Sequence, residues 1–322
     1  MNSQKTLKDW IIATRPWSFP ASSMPVLVTL GYLFWAQVAG GSDVNWWKGL
    51  WALVNIIVFH AAGNTWSDYH DYKKGVDRED TIGGVSITSG QFEAAQIKRL
   101  SLGLLIVALI SGIALLFCTG LPLLYVGLAG FILTIGYPWF KYRALGDVDI
   151  FLTYSVLPIL GTSFVATGEF NLQALWLCVP IGLITVAILH INNLRDIEHD
   201  KRANIKTFAM LLGGTKSMYL YCFEILFPFV WVVAGVLCGI FAWWSLIVLV
   251  ALKPALDNVK KALKYKENGM EAVMGLDEQT AKLQLIFSLM LFIGHMLPFV
   301  VAMVATAAIV VASKVESLLS CI

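Results

Sequence analysis

The stretch Asn64-Thr-Trp-Ser-Asp68-Tyr-His-Asp71-Tyr-Lys-Lys-Gly-Val-Asp77 lies where a long apolar segment gives way to charged residues. Asn64, Asp68 and Asp71 are spaced four and three residues apart, which places them on one face of a helix. Polar groups at the edge of a membrane helix are costly unless they have a function. Because carboxylate and amide oxygens are hard ligands, the pattern predicts that this face binds a divalent cation.

A second stretch, Asn192-Asn-Leu-Arg-Asp196-Ile-Glu-His-Asp200, repeats the pattern at the end of another apolar segment. Asn192 and Asp196 have the same spacing as Asn64 and Asp68, and Asp200 continues the face. The repeat predicts two related helical halves that face each other. Two acidic clusters that converge from two helix ends can hold Mg²⁺ ions, which would neutralise a diphosphate and stabilise it as a leaving group.

The rest of the 322-residue chain is strongly apolar. It is 58% hydrophobic and only 14% charged, whereas about a quarter of the residues of an ordinary soluble domain are charged. Only helices and closed barrels cross lipid, and a helical crossing needs about 20 apolar residues. We therefore expect an all-α, polytopic membrane protein with about nine transmembrane helices in one bundle. The predicted spans are residues 19–38, 46–64, 100–118, 121–140, 148–167, 172–192, 218–237, 241–252 and 283–312.

The positions of lysine and arginine predict the orientation in the membrane. Every basic residue except Lys48 and Lys314 falls on one side of the predicted spans, and that side is expected to be cytoplasmic, in the inner (plasma) membrane, together with the N-terminus. Residues 1–17 are expected to form an interfacial segment, and residues 68–99 and 253–282 to form cytoplasmic loops of a single domain over 1–322. The lipid bilayer is the expected environment, and no nucleic acid partner is expected.

Other interpretations of the acidic residues stay open at this point. A single aspartate near a helix end, such as Asp77, Asp147 or Asp149, is usually a solvated residue or a cap. Glu224 lies inside a predicted span without an assigned partner. An ion-coupled transporter would carry its carboxylates near the membrane midplane in broken helices. A CDP-alcohol phosphotransferase would need Asp-Gly-x2-Ala-Arg, where this chain has Asp71-Tyr-Lys-Lys-Gly.

The two acidic motifs resemble the paired aspartate-rich signatures of the UbiA superfamily of intramembrane aromatic prenyltransferases. Tyr137-Pro-Trp-Phe-Lys141 is similar to the Tyr-x3-Lys element of that family. Arg15-Pro16, Gly146-Asp147 and Gly161-Thr162 look more specifically like the 1,4-dihydroxy-2-naphthoate prenyltransferases of menaquinone synthesis. Two departures are Ser67, where many relatives carry asparagine, and Tyr154-Ser155, where many carry Phe-Gly.

The resemblance implies a nine-helix bundle with a lateral opening to lipid and Mg²⁺-dependent ionisation of a polyprenyl diphosphate. The allylic cation then reacts with an aromatic acid; with 1,4-dihydroxy-2-naphthoate the ring carboxylate is lost and demethylmenaquinone forms. Another aromatic acceptor, such as 4-hydroxybenzoate, is the alternative.

The resemblance also implies roles for particular residues, with Asp77 expected outside the metal site. The implied metal ligands are Asn64, Asp68, Asp71, Asn192, Asp196 and Asp200. The implied catalytic residues are Asp68, Asp71, Asp196, Asp200, Tyr137 and Lys141, with Tyr137 stabilising the cation. The implied substrate-binding residues are Arg15, Asn64, Lys73, Arg143, Asn192 and Lys201.

Overall fold

The computed structural model of the protein describes residues 5–81 and 83–319. The all-α prediction is confirmed. The helices are α1 (Leu7–Ala13), α2 (Pro20–Val38), α3 (Trp46–Lys74), α4 (Val85–Thr88), α5 (Ala94–Thr119), α6 (Pro122–Lys141), α7 (Gly146–Phe151), α8 (Leu157–Thr167), α9 (Cys178–Arg195), α10 (Ile197–Arg202), α11 (Phe208–Leu212), α12 (Gly214–Leu237), α13 (Leu252–Leu263), α14 (Tyr265–Asn268) and α15 (Leu276–Leu319). Short 3₁₀ turns cover Pro16–Ser18, Leu172–Leu177, Trp243–Ala251 and Gly269–Val273, and a π-helical turn over Leu152–Val156 joins α7 to α8.

Seven helical segments in the described residues are long and apolar enough to cross a membrane. They are Pro16–Val38, Ala94–Thr119, Pro122–Lys141, Gly146–Thr167, Leu172–Arg195, Gly214–Leu237 and Leu276–Val304. The predicted count of nine is not confirmed, because the predicted spans 46–64 and 241–252 are not among them. In the span predicted over 46–64, which is part of α3, the polar residues Lys48, Asn55 and His60 lower the mean hydropathy. The second is a short 3₁₀ turn that continues into the lysine-rich helix α13.

Of the two long connections in the sequence analysis, the second is largely helical and the first is helical at both ends and over Val85–Thr88. Helix α3 has 29 residues and runs through Asp68 and Asp71 before it ends at Gly75, which has a φ of 75°. Glycine is favoured there because that region is sterically costly for other residues. In the second connection, α13 buries one face through Ala255, Val259 and Ala262, the spacing of an amphipathic helix.

The core of the bundle is built around α9. Ile181, Ile184, Ala187 and Leu194 of this helix are fully buried and belong to a core that includes residues of α2, α12 and α15. By contrast, α5 presents large exposed side chains, among them Ile110 and Phe117. Apolar faces of this kind are expected to contact lipid. Helix α9 is therefore held firmly, and the second acidic motif spans its end: Asn192 lies in its last turn, Asp196 caps it and Asp200 lies in α10.

The N-terminal segment lies across the end of the bundle where α3 and α9 end. Residues 1–4 of the predicted interfacial segment lie outside the described residues; α1 follows, with Thr6 and Asp9 forming a capping box. Leu7, Ile11 and Trp17 are exposed, which is typical of a helix that lies in the membrane interface. Trp10 and Ala13 pack instead against Phe92 and Ile97 at the start of α5.

Candidate active site

The two acidic motifs lie at the same end of the bundle, which we call the motif end. Val76, just after the first motif, packs in one apolar cluster with Ala203 and Ile205, just after the second, and with Tyr142. The Lys206 amide donates a hydrogen bond to the Tyr142 carbonyl at 3.1 Å. Because α3, α6 and α9 all end here, their terminal side chains form one polar region above an apolar interior. The relation between two halves of the bundle stays a prediction.

The first motif is tied to the N-terminal segment. Arg15 Nη1 lies 2.9 Å from Asp68 Oδ1, and Asp68 is buried. Arg15 has a φ of 59°, an uncommon conformation for a residue with a Cβ, at the break between α1 and the following 3₁₀ turn. Asn64 Nδ2 donates to the Thr14 carbonyl at 3.0 Å and to Ser18 Oγ at 2.9 Å. These contacts occupy the amide nitrogen of Asn64, so its oxygen is the atom that remains to bind a cation.

Asp71 receives three hydrogen bonds from side chains. Lys141 Nζ lies 2.9 Å from Asp71 Oδ2, and the Tyr142 hydroxyl donates to Asp71 Oδ1 at 2.7 Å. Ser67 Oγ donates to Asp71 Oδ2 at 3.2 Å. Lys141, the last residue of the Tyr-x3-Lys element, is therefore paired with the first acidic motif.

The second motif is arranged around a buried arginine. Arg195 Nε and Nη2 donate to the two carboxylate oxygens of Asp196 at 2.8 and 2.7 Å. Arg195 Nη1 lies 2.8 Å from Asp277 Oδ2 at the start of α15. The bidentate geometry fixes the orientation of the Asp196 side chain.

Two oxygens of the predicted metal ligands in the second motif are unpartnered within the described residues. Asn192 Oδ1 and Asp200 Oδ2 are buried and have no hydrogen-bond partner in the part of the chain that the structure describes. Burial raises the pKa of Asp200 to about 7; Lys141 opposes the shift, and the negative charges of Asp196 and Asp71 add to it. Orphaned oxygens beside several carboxylates fit a divalent cation, because a hard cation is bound by such oxygens and removes the cost of burying their charge.

Asp77 borders the same polar region and is not a solvated residue; its place outside the metal site stays a prediction. It is buried, and its amide donates to the Asp71 carbonyl at 3.3 Å. A Cβ on Gly83 or Gly84 would collide with its carboxylate, so this glycine pair closes over Asp77. Burial, followed by the charge of Asp71, raises the pKa of Asp77 to about 7. The residue that could have indicated the position of Asp77 from the sequence is Gly75. The turn at Gly75 ends α3 and returns the chain to the acidic face.

Three of the predicted substrate-binding residues do not join this polar region. Lys73, Arg143 and Lys201 are exposed; Arg143 stacks over the Trp139 ring at 4.1 Å, and Lys201 pairs with Glu198 at 2.6 Å. Lys73 lies in the last turn of α3, Lys201 lies in the last turn of α10, and Arg143 lies in the turn that follows α6. All three are at the periphery of the motif end. By contrast, Lys141, which was predicted as a catalytic residue, does contact Asp71.

Tyr137 is half-buried and lies one turn before Lys141 on α6. Further along the bundle, the His60 ring contacts Tyr154 with a centroid separation of 4.8 Å and Phe19 with one of 5.6 Å. His60 Nδ1 lies 2.8 Å from Ser22 Oγ. An aromatic cluster with a few polar atoms therefore lies one turn along α3 from Asn64, a combination that suits a planar, partly polar ligand.

Comparison with known proteins agrees with this geometry. Residues 25–268 match the model of the UbiA prenyltransferase family. UbiA prenyltransferase domain-containing protein 1 of Rattus norvegicus is 30% identical over 296 residues, which cover 90% of this chain and 83% of the rat protein.

Two solved structures share the fold. A digeranylgeranylglyceryl phosphate synthase superposes with a TM-score of 0.60 at 17% identity, covering 90% of this chain and 98% of the other. A UbiA homologue from Archaeoglobus fulgidus, bound to GPP and Mg²⁺, superposes with a TM-score of 0.53 at 12% identity, covering 87% and 99%.

Proposed function

The chain belongs to the UbiA prenyltransferase family, and on this premise we propose that it moves a polyprenyl group from its diphosphate to an aromatic acceptor with the help of Mg²⁺. The observation that carries the proposal is the meeting of two acidic helix ends, those of α3 and α9, at one end of an apolar bundle. The A. fulgidus homologue with a similar fold holds GPP and Mg²⁺. Carboxylates at helix ends favour this reaction over a transporter, which would bind its ions near the midplane.

The metal ligands that we propose are Asn64, Asp68 and Asp71 on one side and Asn192, Asp196 and Asp200 on the other. Bound Mg²⁺ supplies Lewis-acid stabilisation of the charge that develops on the departing diphosphate. Lys141 and Arg15 pair with carboxylates in this structure. If those carboxylates held the ions, the side chains of Lys141 and Arg15 would be free to donate hydrogen bonds to phosphate oxygens.

The reaction that we propose begins with heterolysis of the bond between C1 of the prenyl group and the diphosphate oxygen. The electron pair leaves with the diphosphate, and an allylic cation remains in the apolar interior. Tyr137 lies at the boundary of the two regions, where its electron-rich ring and hydroxyl oxygen can stabilise that cation. An electron-rich ring carbon of the acceptor then forms the new C–C bond, and the ring loses a proton or, in a 2-naphthoate, carbon dioxide.

The acceptor that we propose first is 1,4-dihydroxy-2-naphthoate, with demethylmenaquinol, the reduced form of demethylmenaquinone, as the direct product. The support is the resemblance of the motifs and the aromatic cluster of His60, Tyr154 and Phe19. Tyr154 contributes a hydroxyl to this cluster. 4-Hydroxybenzoate is the second candidate.

The test is a transfer assay with purified protein, labelled geranylgeranyl diphosphate and a panel of acceptors. The panel contains 1,4-dihydroxy-2-naphthoate, 4-hydroxybenzoate and, because of the synthase that shares the fold, geranylgeranylglyceryl phosphate. We expect a prenylated naphthoquinol that disappears when EDTA removes Mg²⁺. Protein that melts cooperatively but prenylates no acceptor would falsify the proposed function, and product from only the lipid phosphate would overturn the aromatic acceptor.

Asp77→Asn tests whether the residue missed by sequence reasoning takes part. We expect kcat for transfer to fall about 10- to 100-fold, because the variant keeps the size of the side chain but removes a buried charge beside the metal ligands. Asp80→Asn is the matched control: Asp80 is exposed, pairs with Arg78 at 3.0 Å and should be replaceable within about twofold, since exposed ion pairs contribute little. Equal rates in the two variants would exclude Asp77 from the site.

We propose that the motif end faces the cytoplasm, because nearly all of the basic residues lie there. Cys118, at the end of α5, and Cys238, just after α12, are both exposed and both lie at the opposite end of the bundle. In sealed right-side-out vesicles, a membrane-impermeant maleimide should label Cys118 and Cys238 of a Cys321→Ser variant without permeabilisation. Adding Cys118→Ser and Cys238→Ser to the same background should remove that label; Cys321 is replaced throughout because it is a further cysteine of the sequence. Labelling of the Cys321→Ser variant only after permeabilisation would reverse the orientation.

A further inference from the structure

Three buried side chains that the proposed reaction does not use meet between three helices. They are Asp147 of α7, His190 of α9 and Glu224 of α12, and one potential ligand atom of each lies within 4.8 Å of the other two. Their exposed fractions are 7%, 0% and 3%. We call them the Asp–His–Glu cluster.

The cluster makes fewer hydrogen bonds than its atoms allow. His190 Nδ1 lies 2.6 Å from Asp147 Oδ2. Within the described residues, His190 Nε2, Asp147 Oδ1 and Glu224 Oε2 are buried and have no hydrogen-bond partner. Unpartnered buried polar atoms are rare in folded proteins, and three of them in one cluster indicate that a further group belongs there.

The charges of the cluster point to a cation. The ion pairs of the described residues give Asp147 only His190 as a partner and give Glu224 none. The surroundings are apolar, with the ring of Phe208 6.0 Å from that of His190. Two carboxylates and a neutral imidazole carry a charge of −2, so a bound dication would make the buried group neutral.

The geometry points to a second metal site: we propose that Asp147, His190 and Glu224 bind a first-row transition dication, with Zn²⁺ as the first candidate. An imidazole nitrogen with two carboxylate oxygens suits Zn²⁺, whereas Mg²⁺ prefers oxygen ligands alone and keeps several waters. Three protein ligands leave one position of a tetrahedral ion for water.

The second site is distinct from the acidic faces, although both use α9. His190 and Asn192 are two residues apart, which places them on nearly opposite sides of the helix. A metal here would join α7 and α12 to α9 just before the last turn that carries Asn192 and Asp196. Its role would be to stabilise that turn, so metal binding should raise Tm even in the absence of prenyl diphosphate.

The test measures zinc on the purified full-length protein without prenyl diphosphate. The protein is stripped with a chelator, loaded with Zn²⁺ in the presence of excess Mg²⁺ to occupy the acidic faces, and desalted before elemental analysis. We expect about one Zn²⁺ per chain and a higher Tm than that of the stripped protein. Loading with Co²⁺ should give visible absorption bands that His190→Gln removes.

Variants separate the two sites. Glu224→Gln and Asp147→Asn should each lose the bound Zn²⁺ and the rise in Tm, whereas Asp196→Asn, which removes a ligand from the acidic faces, should keep both. Wild-type protein that retains no Zn²⁺ would overturn the proposal. The three side chains of the Asp–His–Glu cluster would then be held together by a proton that they share. Retention by Glu224→Gln, or loss in Asp196→Asn, would also overturn it, because the metal would then belong elsewhere. The wild-type loading decides the question even if one variant does not fold.

Discussion

Asp68→Asn and Asp196→Asn should each lower kcat for prenyl transfer by roughly 1000-fold or more. Each variant keeps the shape of the side chain and one oxygen but removes a negative charge. Asp68→Asn removes it from the first motif, and Asp196→Asn removes it from the second, on the opposite side of the site. If the two motifs share the Mg²⁺–diphosphate, neither can compensate for the other, and the two losses should be similar. The double variant should be scarcely slower than either single variant, because residues that act as a unit are not additive.

The matched control is Glu198→Gln, which makes the same chemical change between Asp196 and Asp200. Glu198 is exposed and pairs only with Lys201 in the described residues, so its replacement should leave kcat within about twofold. All three variants should reach the membrane in wild-type yield and melt cooperatively. Asp196→Asn should lower Tm less than Arg195→Met does, because Arg195 keeps its ion pair with Asp277. Rates near wild type in both Asp68→Asn and Asp196→Asn would mean that these faces do not bind the diphosphate.

Arg195→Met should have the largest effect on stability. The variant leaves Asp196 without its bidentate partner and breaks the link to Asp277 of α15, and loss of one partner of a largely buried ion pair costs about 3 kcal/mol. Because Asp196 and Asp277 keep some contact with solvent, the value is an upper bound. We expect Tm in detergent to fall by several degrees and kcat to fall about 10-fold, because Arg195 positions a proposed metal ligand.

Arg202→Met is the control for that prediction. Arg202 lies on the next helix, is 65% exposed and is 3.5 Å from Asp80, so its loss should not change Tm measurably. Arg195→Lys should recover part of the stability but not the bidentate geometry. If Arg195→Met and Arg202→Met have the same Tm, the Arg195 ion pairs do not hold the motif end together.

The acidic faces could be predicted from the sequence because helical periodicity is local. Asn64, Asp68 and Asp71 share a face whenever that stretch is helical, and the structure continues α3 through all three residues. The pairing of Lys141 with Asp71 joins residues 70 positions apart. Spacing does not determine a contact of that kind; the resemblance placed Lys141 near the site, and the structure identifies its partner.

Tertiary contacts also explain what the sequence did not reveal. Asp77 is buried because the chain turns at Gly75 and because Gly83 and Gly84 close over it, and burial of a loop residue has no periodic signal. Glu224 was visible as an acid within an apolar span, but its neighbours Asp147 and His190 come from two other helices. The span predicted over 241–252 looked apolar by composition, yet the chain turns there into the charged helix α13.

The central claim is that the ends of α3 and α9 bind one Mg²⁺–diphosphate together. The most direct test is equilibrium binding of labelled geranyl diphosphate to purified protein without acceptor, with Mg²⁺ or with EDTA, for wild type, Asp68→Asn, Asp196→Asn and Glu198→Gln. We expect saturable binding that requires Mg²⁺, is lost in Asp68→Asn and in Asp196→Asn, and is retained in Glu198→Gln. Binding that persists in EDTA, or that survives in either aspartate variant with wild-type affinity, would contradict it.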